Sequence, residues 1–131
     1  MRNGRLTASA VIEAHLERIE QREPGIRAWA FIDADGARRR ASELDAGPGA
    51  GPLHGLPIGV KDIIDVARLP TECGSPIYRG HRARADAACV AAARAAGAIP
   101  LGKTVTTEFA TFAPAATVNP RNAAHTPGGS S

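Results

Sequence analysis

Residues 56–66 read LPIGVKDIIDV, and this run decides the fold. Ile58, Val60, Ile63 and Ile64 make it strand-like. It lies between the Gly/Pro loop GPGAGP at 47–52 and an irregular stretch at 70–80. A short apolar run bounded by such breakers reads as a buried strand. Upstream, Ile12, Leu16 and Ile19 fall at helical spacing, which predicts an amphipathic helix over 9–22 ended by Pro24-Gly25. A short buried segment follows at 29–32, then an arginine-rich helix at 33–46 exposed along one side. Downstream, Asp86 is placed to cap an alanine-rich helix at 87–96, Gly97 to end it, and 99–105 reads as a strand. Helix alternating with strand favours an α/β arrangement. Beyond Phe112 the composition is that of a loop.

The 131 residues amount to one domain's worth of chain. Of the 44% apolar content much is alanine, 27 residues, while Leu, Ile, Val and Phe together number 25, so an independent core is thin. No run approaches a membrane span. Cys73 and Cys89 cannot make a disulfide scaffold. The N-terminus lacks the apolar region of a signal peptide, so a cytoplasmic protein is the expectation. A pI near 9.4 raises the question of nucleic acid, with Arg38, Arg39 and Arg40 consecutive and Arg79, Arg82 and Arg84 clustered. The 13 acidic residues spread among them and the 4% aromatic content argue for solvated surfaces and no nucleic-acid partner. His15, His54, His81 and His125 are scattered and no C-x-x-C pair exists, so neither metal nor cofactor is expected.

Residues 97–104, GAIPLGKT, fit the phosphate-cradling pattern G-x-x-x-x-G-K-[ST]. That chemistry needs a strand before the loop and a helix opening at the lysine. Here the order is reversed, and Pro100 would remove an amide donor from the cradle. A helix end followed by a strand is the better reading. A binding module without catalysis, the nucleotide-binding version included, stays open as the alternative of another class.

The 16 basic residues are 14 arginines and two lysines, Lys61 and Lys103. A lysine can give up its proton and act as a general base where an arginine cannot. Lys61, on an apolar strand, is therefore a candidate for chemistry, set against the commoner reading of a snorkelling side chain. The segment Pro127-Gly128-Gly129-Ser130-Ser131 is a second candidate, because glycines beside serines let a backbone approach a substrate closely. Alone it reads as a flexible linker.

Together these motifs resemble the amidase signature family, the serine hydrolases with a Ser–cisSer–Lys triad. The resemblance is carried by GLPIGVKDIID at 55–65, TECGS at 71–75, AGAIPLGKT at 96–104, EFA at 108–110 and NPRN…PGGSS at 119–131, in family order. It is closest in look to the bacterial malonamidase-type small amidases. It implies a mixed β-sheet core covered by helices, and residues 1–131 as the N-terminal portion of a single amidase domain. Within that portion 1–46 would be helical, 47–54 a loop, 55–112 a strand/helix/strand core and 113–131 a catalytic-loop segment.

The resemblance also assigns roles. Lys61 corresponds to the general base and Ser130 to the bridging serine after a cis peptide, with Gly128, Gly129 and Ser131 as the supporting loop. Lys103 falls on a structural strand. The substrate would be a small-molecule amide and the full-length enzyme a homodimer, or else an amidotransferase subunit with glutaminase activity. Ile63 and Val105 stand where many members carry asparagine. The acylating serine lies about two dozen residues beyond PGGSS in the family, and Ser9, Ser42 and Ser75 sit in unsuitable segments. This chain is thus expected to lack the nucleophile, to be inactive alone, and to expose apolar faces.

Overall fold

The computed structural model describes residues 6–49 and 51–130. The expectation for Ser131 therefore lies outside the described residues. Helix α1 spans Ala8–Ile26 and packs through Ala8, Ile12 and Leu16. Thr7 caps its first turn, accepting from the Ala10 amide at 3.0 Å. Two further amides of that turn, Ala8 and Ser9, donate to the Asp45 carboxylate at 2.7 and 2.9 Å. The helix outruns its expected stop at Pro24-Gly25. A proline in the last turn removes one hydrogen bond without unseating the turns before it. The turn closes at Arg27 instead, in the left-handed conformation (φ 58°), with its N–H on the Glu23 carbonyl. The Glu23 carboxylate then accepts from the Ala28 and Trp29 amides and fixes the exit of the chain.

The short apolar segment is strand β1, Trp29–Ile32, and α2 follows at Ala34–Ala46, capped by Asp33 through the Gly36 amide. Strand β2 occupies Pro57–Lys61, α3 Ala88–Ala95 and β3 Ile99–Thr104. The sheet is mixed, in the order β1-β3-β2, with β1 antiparallel and β2 parallel to the central β3. The long run at 56–66 is a strand only as far as Lys61. The Ile64 amide turns back onto the Lys61 carbonyl at 2.9 Å, so Lys61 stands at the carboxyl end of a parallel strand. Asp86 does not cap α3. Its Oδ1 accepts from the Ala67 amide at 2.7 Å and its Oδ2 pairs with Arg94 at 3.0 Å, tying the helix to the preceding loop.

Two apolar clusters flank the sheet. Ala8, Ile12, Leu16, Ala37, Ala41 and Leu44 of the helices close over Ile99 and Leu101. Val60, Val66, Leu69 and Val90 form the second. Their separation depends on an irregularity in β3. Ile58 pairs with Pro100 but Gly59 pairs with Gly102, leaving Leu101 as an extra residue. Since side chains alternate along a strand, one extra residue reverses the faces beyond it. Lys103 thereby joins its register partner Val60, away from Ile99 and Leu101. Both glycines of the phosphate-loop pattern have structural causes. Gly97, at φ 97°, follows the end of α3, and a Cβ on Gly102 would lie 2.0 Å from the Phe31 carbonyl oxygen on β1.

Apolar side chains also remain uncovered. Ile77, Tyr78, Phe109 and Phe112 are exposed, Phe112 completely. Among the described residues no helix is long and apolar enough to cross a membrane.

Candidate active site

The carboxyl ends of β2 and β3 lie side by side, with Lys61 opposite Thr104. In parallel sheets, strand C-termini are where side chains leave the ladder and reach into space beyond the sheet. Lys61 is half-buried there. The chain reaches this point a second time from its far end. Residues 113–130 form no helix or long strand, and Thr117 Oγ1 and the Val118 amide pin the start of the segment to the end of α1. Ten residues later the backbone arrives at Gly128, in the left-handed region at φ 94°, and the Gly129–Ser130 peptide is cis. Lys61 Nζ donates to Ser130 Oγ across 69 residues of sequence.

Ser130 is held from below by the chain leaving β3. Its carbonyl oxygen accepts from the Thr107 amide at 3.0 Å and from Thr106 Oγ1 at 2.9 Å. Beside Ser130 a cleft of about 390 Å³ is lined by Val105, Phe112, Pro114, Ala115 and Pro127, and by Thr106 and Thr107. The described lining carries no charged side chain. Such a surface suits an uncharged organic group.

Behind Lys61 the next residue is fixed at every polar atom. The Asp62 amide donates to Thr104, its carbonyl accepts from Cys73, and Oδ2 accepts from the Glu72 amide at 3.1 Å. Its Oδ1 accepts from Lys103 Nζ at 3.0 Å, and that ammonium also donates to the Pro70 carbonyl at 2.8 Å and to Thr71 Oγ1 at 2.9 Å. Lys103 is fully buried. Three donors meeting three acceptors leave a lysine ammonium nothing further to bind. It offers no free cation to a phosphate.

Cys73, close to this pair, is no rival nucleophile. Burial pushes its thiol up, Asp62 adds to the shift, and Lys103 only partly opposes it. A thiol kept protonated is a poor nucleophile. Ser75 is buried and donates to Glu108 at 2.6 Å, away from either lysine's hydrogen bonds.

Lys61, Gly128, Gly129 and Ser130, all singled out from sequence, thus come together at one end of the sheet, whereas Lys103 turns to the opposite face. Thr106 and Thr107 hold the Ser130 carbonyl and Asp62 holds Lys103, and none of the three stands out in the sequence. The available signals were modest: Asp62 adjoins the candidate base, and paired threonines follow the strand that carries Lys103.

Known proteins share both sequence and geometry. The chain is 40% identical over 138 residues to a glutamyl-tRNA(Gln) amidotransferase subunit of Acidothermus cellulolyticus, covering 96% of this chain and 27% of that protein. It is 41% identical over 114 residues to the putative amidase AmiD of Mycobacterium tuberculosis strain H37Rv, covering 84% of this chain and 24% of that one. Among solved structures it superposes on the native peptide amidase of Stenotrophomonas maltophilia with a TM-score of 0.78 at 35% identity, over 89% of this chain and 25% of that chain. The chain therefore spans about a quarter of the length of these relatives. The amidase family model matches residues 10–131. With a backbone that superposes on a solved amidase and a family match along nearly its whole length, the chain belongs to the amidase family.

Proposed function

We propose that this chain is the part of a carboxamide hydrolase that supplies the base and the bridging serine, Lys61 and Ser130, of an acyl-enzyme mechanism. The observation that carries the reading is the hydrogen bond between those two side chains. In the complete protein a nucleophilic serine from the remainder of the fold attacks the amide carbon. Its proton passes to Ser130 Oγ as the Ser130 proton passes to neutral Lys61. The same route in reverse delivers a proton to the departing ammonia or amine, and water repeats the cycle on the acyl-enzyme. Gly128, Gly129 and Ser131 form the supporting loop in this reading. Neither metal nor cofactor has a role in it.

The decisive experiment is Lys61→Ala in the complete protein, assayed for ammonia release from small neutral carboxamides. Loss of a general base lowers turnover by about 10²–10⁴-fold. Turnover near the unmodified level would sink the assignment.

A second reading, as one component of an amidotransferase, is favoured by the 40% identity to the Acidothermus protein. Purification of the complete protein separates the two. Elution as a homodimer active on free amides fits the hydrolase, whereas co-purification with other polypeptides and dependence on them for activity fits the amidotransferase.

A further inference from the structure

We propose that Thr106 is a positioning residue for Ser130, its hydroxyl acting with the Thr107 amide to hold the bridging serine against Lys61. The inference rests on the hydrolase reading above. Beyond Val118, the hydrogen bonds recorded for residues 119–129 are local, such as Asn119 with His125 and Gly128 with Thr126. Most of that stretch is exposed. Its hold on the body of the protein is regained at Ser130, through the carbonyl oxygen.

Two donors meet that oxygen from different groups, one a backbone amide and one a side chain. A single donor fixes a distance but lets a carbonyl swing about it, whereas two restrict its orientation. Turning the Ser130 carbonyl turns the residue that carries Oγ, so the clamp governs whether Oγ meets Lys61. Thr106 is suited to the task because it is buried, at 2% exposure, and two residues beyond Thr104, the register partner of Lys61. One strand end therefore sets both partners of the hydrogen bond. The Thr106 hydroxyl lies 2.9 Å from two carbonyl oxygens, those of Ser130 and Thr107.

The test compares Thr106→Val and Thr106→Ser in the complete protein, measuring kcat, KM and Tm on one neutral carboxamide. Valine removes the donor, and a misplacement of about 1 Å costs about 10²-fold in kcat. The expected result is a loss of that order with KM nearly unchanged, recovered for the most part by serine, which keeps the donor and loses the methyl. Equal losses in both variants, tracking Tm, would mean that Thr106 only packs, and would overturn the proposal. An unchanged kcat in Thr106→Val would overturn it too. If the valine variant does not fold, Thr106→Cys replaces it, with a weaker donor and a smaller loss expected; full kcat there overturns the proposal. Lys61→Ala in the same assay separates the two levels of inference. An active Lys61→Ala enzyme defeats the hydrolase reading itself, whereas an inactive one beside a fully active Thr106→Val enzyme defeats only the clamp.

Discussion

Lys61 and Lys103 leave adjacent strands within one register step of each other, yet their surroundings give them opposite work. Lys61 ends β2, half-buried, and its recorded side-chain partner is a serine hydroxyl brought from the far end of the chain. Lys103 lies inside, paired with a carboxylate and bonded to two further oxygens. A buried ammonium survives only when its desolvation is offset by such a set of partners. With its three protons on three oxygens, it has none left to offer a further partner. A lysine facing one neutral hydroxyl has no such anchor. The two amines differ in what they face, and a single extra residue in β3 puts Lys103 beside Val60, one step from the Lys61 pairing with Thr104.

The largest expected effect breaks the comparison at the base. Lys61→Met in the complete protein should lower amide turnover by about 10²–10⁴-fold. It should shift thermal stability little, since half-buried lysines lose modest packing when replaced by an apolar chain of similar length. Turnover assays and a thermal melt on the same sample check both halves. A large fall in Tm with activity retained would exchange the roles of the two lysines.

Lys103→Met is the mirror image and the next in size. It strands the Asp62 carboxylate in the interior, and breaking one half of a buried pair costs about 3–5 kcal/mol. Denaturant unfolding should show that loss. Adding Asp62→Asn removes the orphaned charge, so the double variant should be more stable than Lys103→Met alone. If the second substitution adds its own full penalty, the ion pair is not what holds this end of the sheet.

The sequence made the chemistry at the strand ends more visible than the geometry that arranges it. Lysine scarcity and an apolar strand mark Lys61 as a candidate, whereas the glycine–serine segment reads alone as a linker and Ser130 stands out only through the family resemblance. The helix stripes at Ile12 and Leu16 are equally plain, being a local periodicity. The errors lie where partners outside the repeating pattern override it. Pro24 reads as a stop, but Glu23 receives the next amides and lets the helix run to Ile26. Asp86 reads as a cap, but its carboxylate is engaged by Ala67 and Arg94. The continuous apolar pattern through Ile63 and Ile64 conceals the turn after Lys61. Thr106 is invisible for the same reason: its importance comes from Ser130, a residue 24 positions away.

The smallest effect carries the comparison to the surface, where charge is screened by water. Asp45 is exposed and joins the two helices by accepting the first amides of α1. Its slight burial works against the charged form, but the hydrogen bonds from Ser9 and Ala8, with His54 nearby, outweigh that and hold the carboxyl below its ordinary value. A lowered carboxyl stabilises the folded state above the unfolded pKa of about 3.9, and that stability is lost as pH falls through the lower folded value. Asp45→Ala should therefore cost roughly 0.5–1 kcal/mol at pH 7, toward the low end for a capping carboxylate in water. The gap from the unmodified protein should narrow as pH falls below about 3.9 and close only below the lower folded value, where neither protein carries the charge. A gap that persisted undiminished at low pH would show that Asp45 acts through its packing and not through its charge.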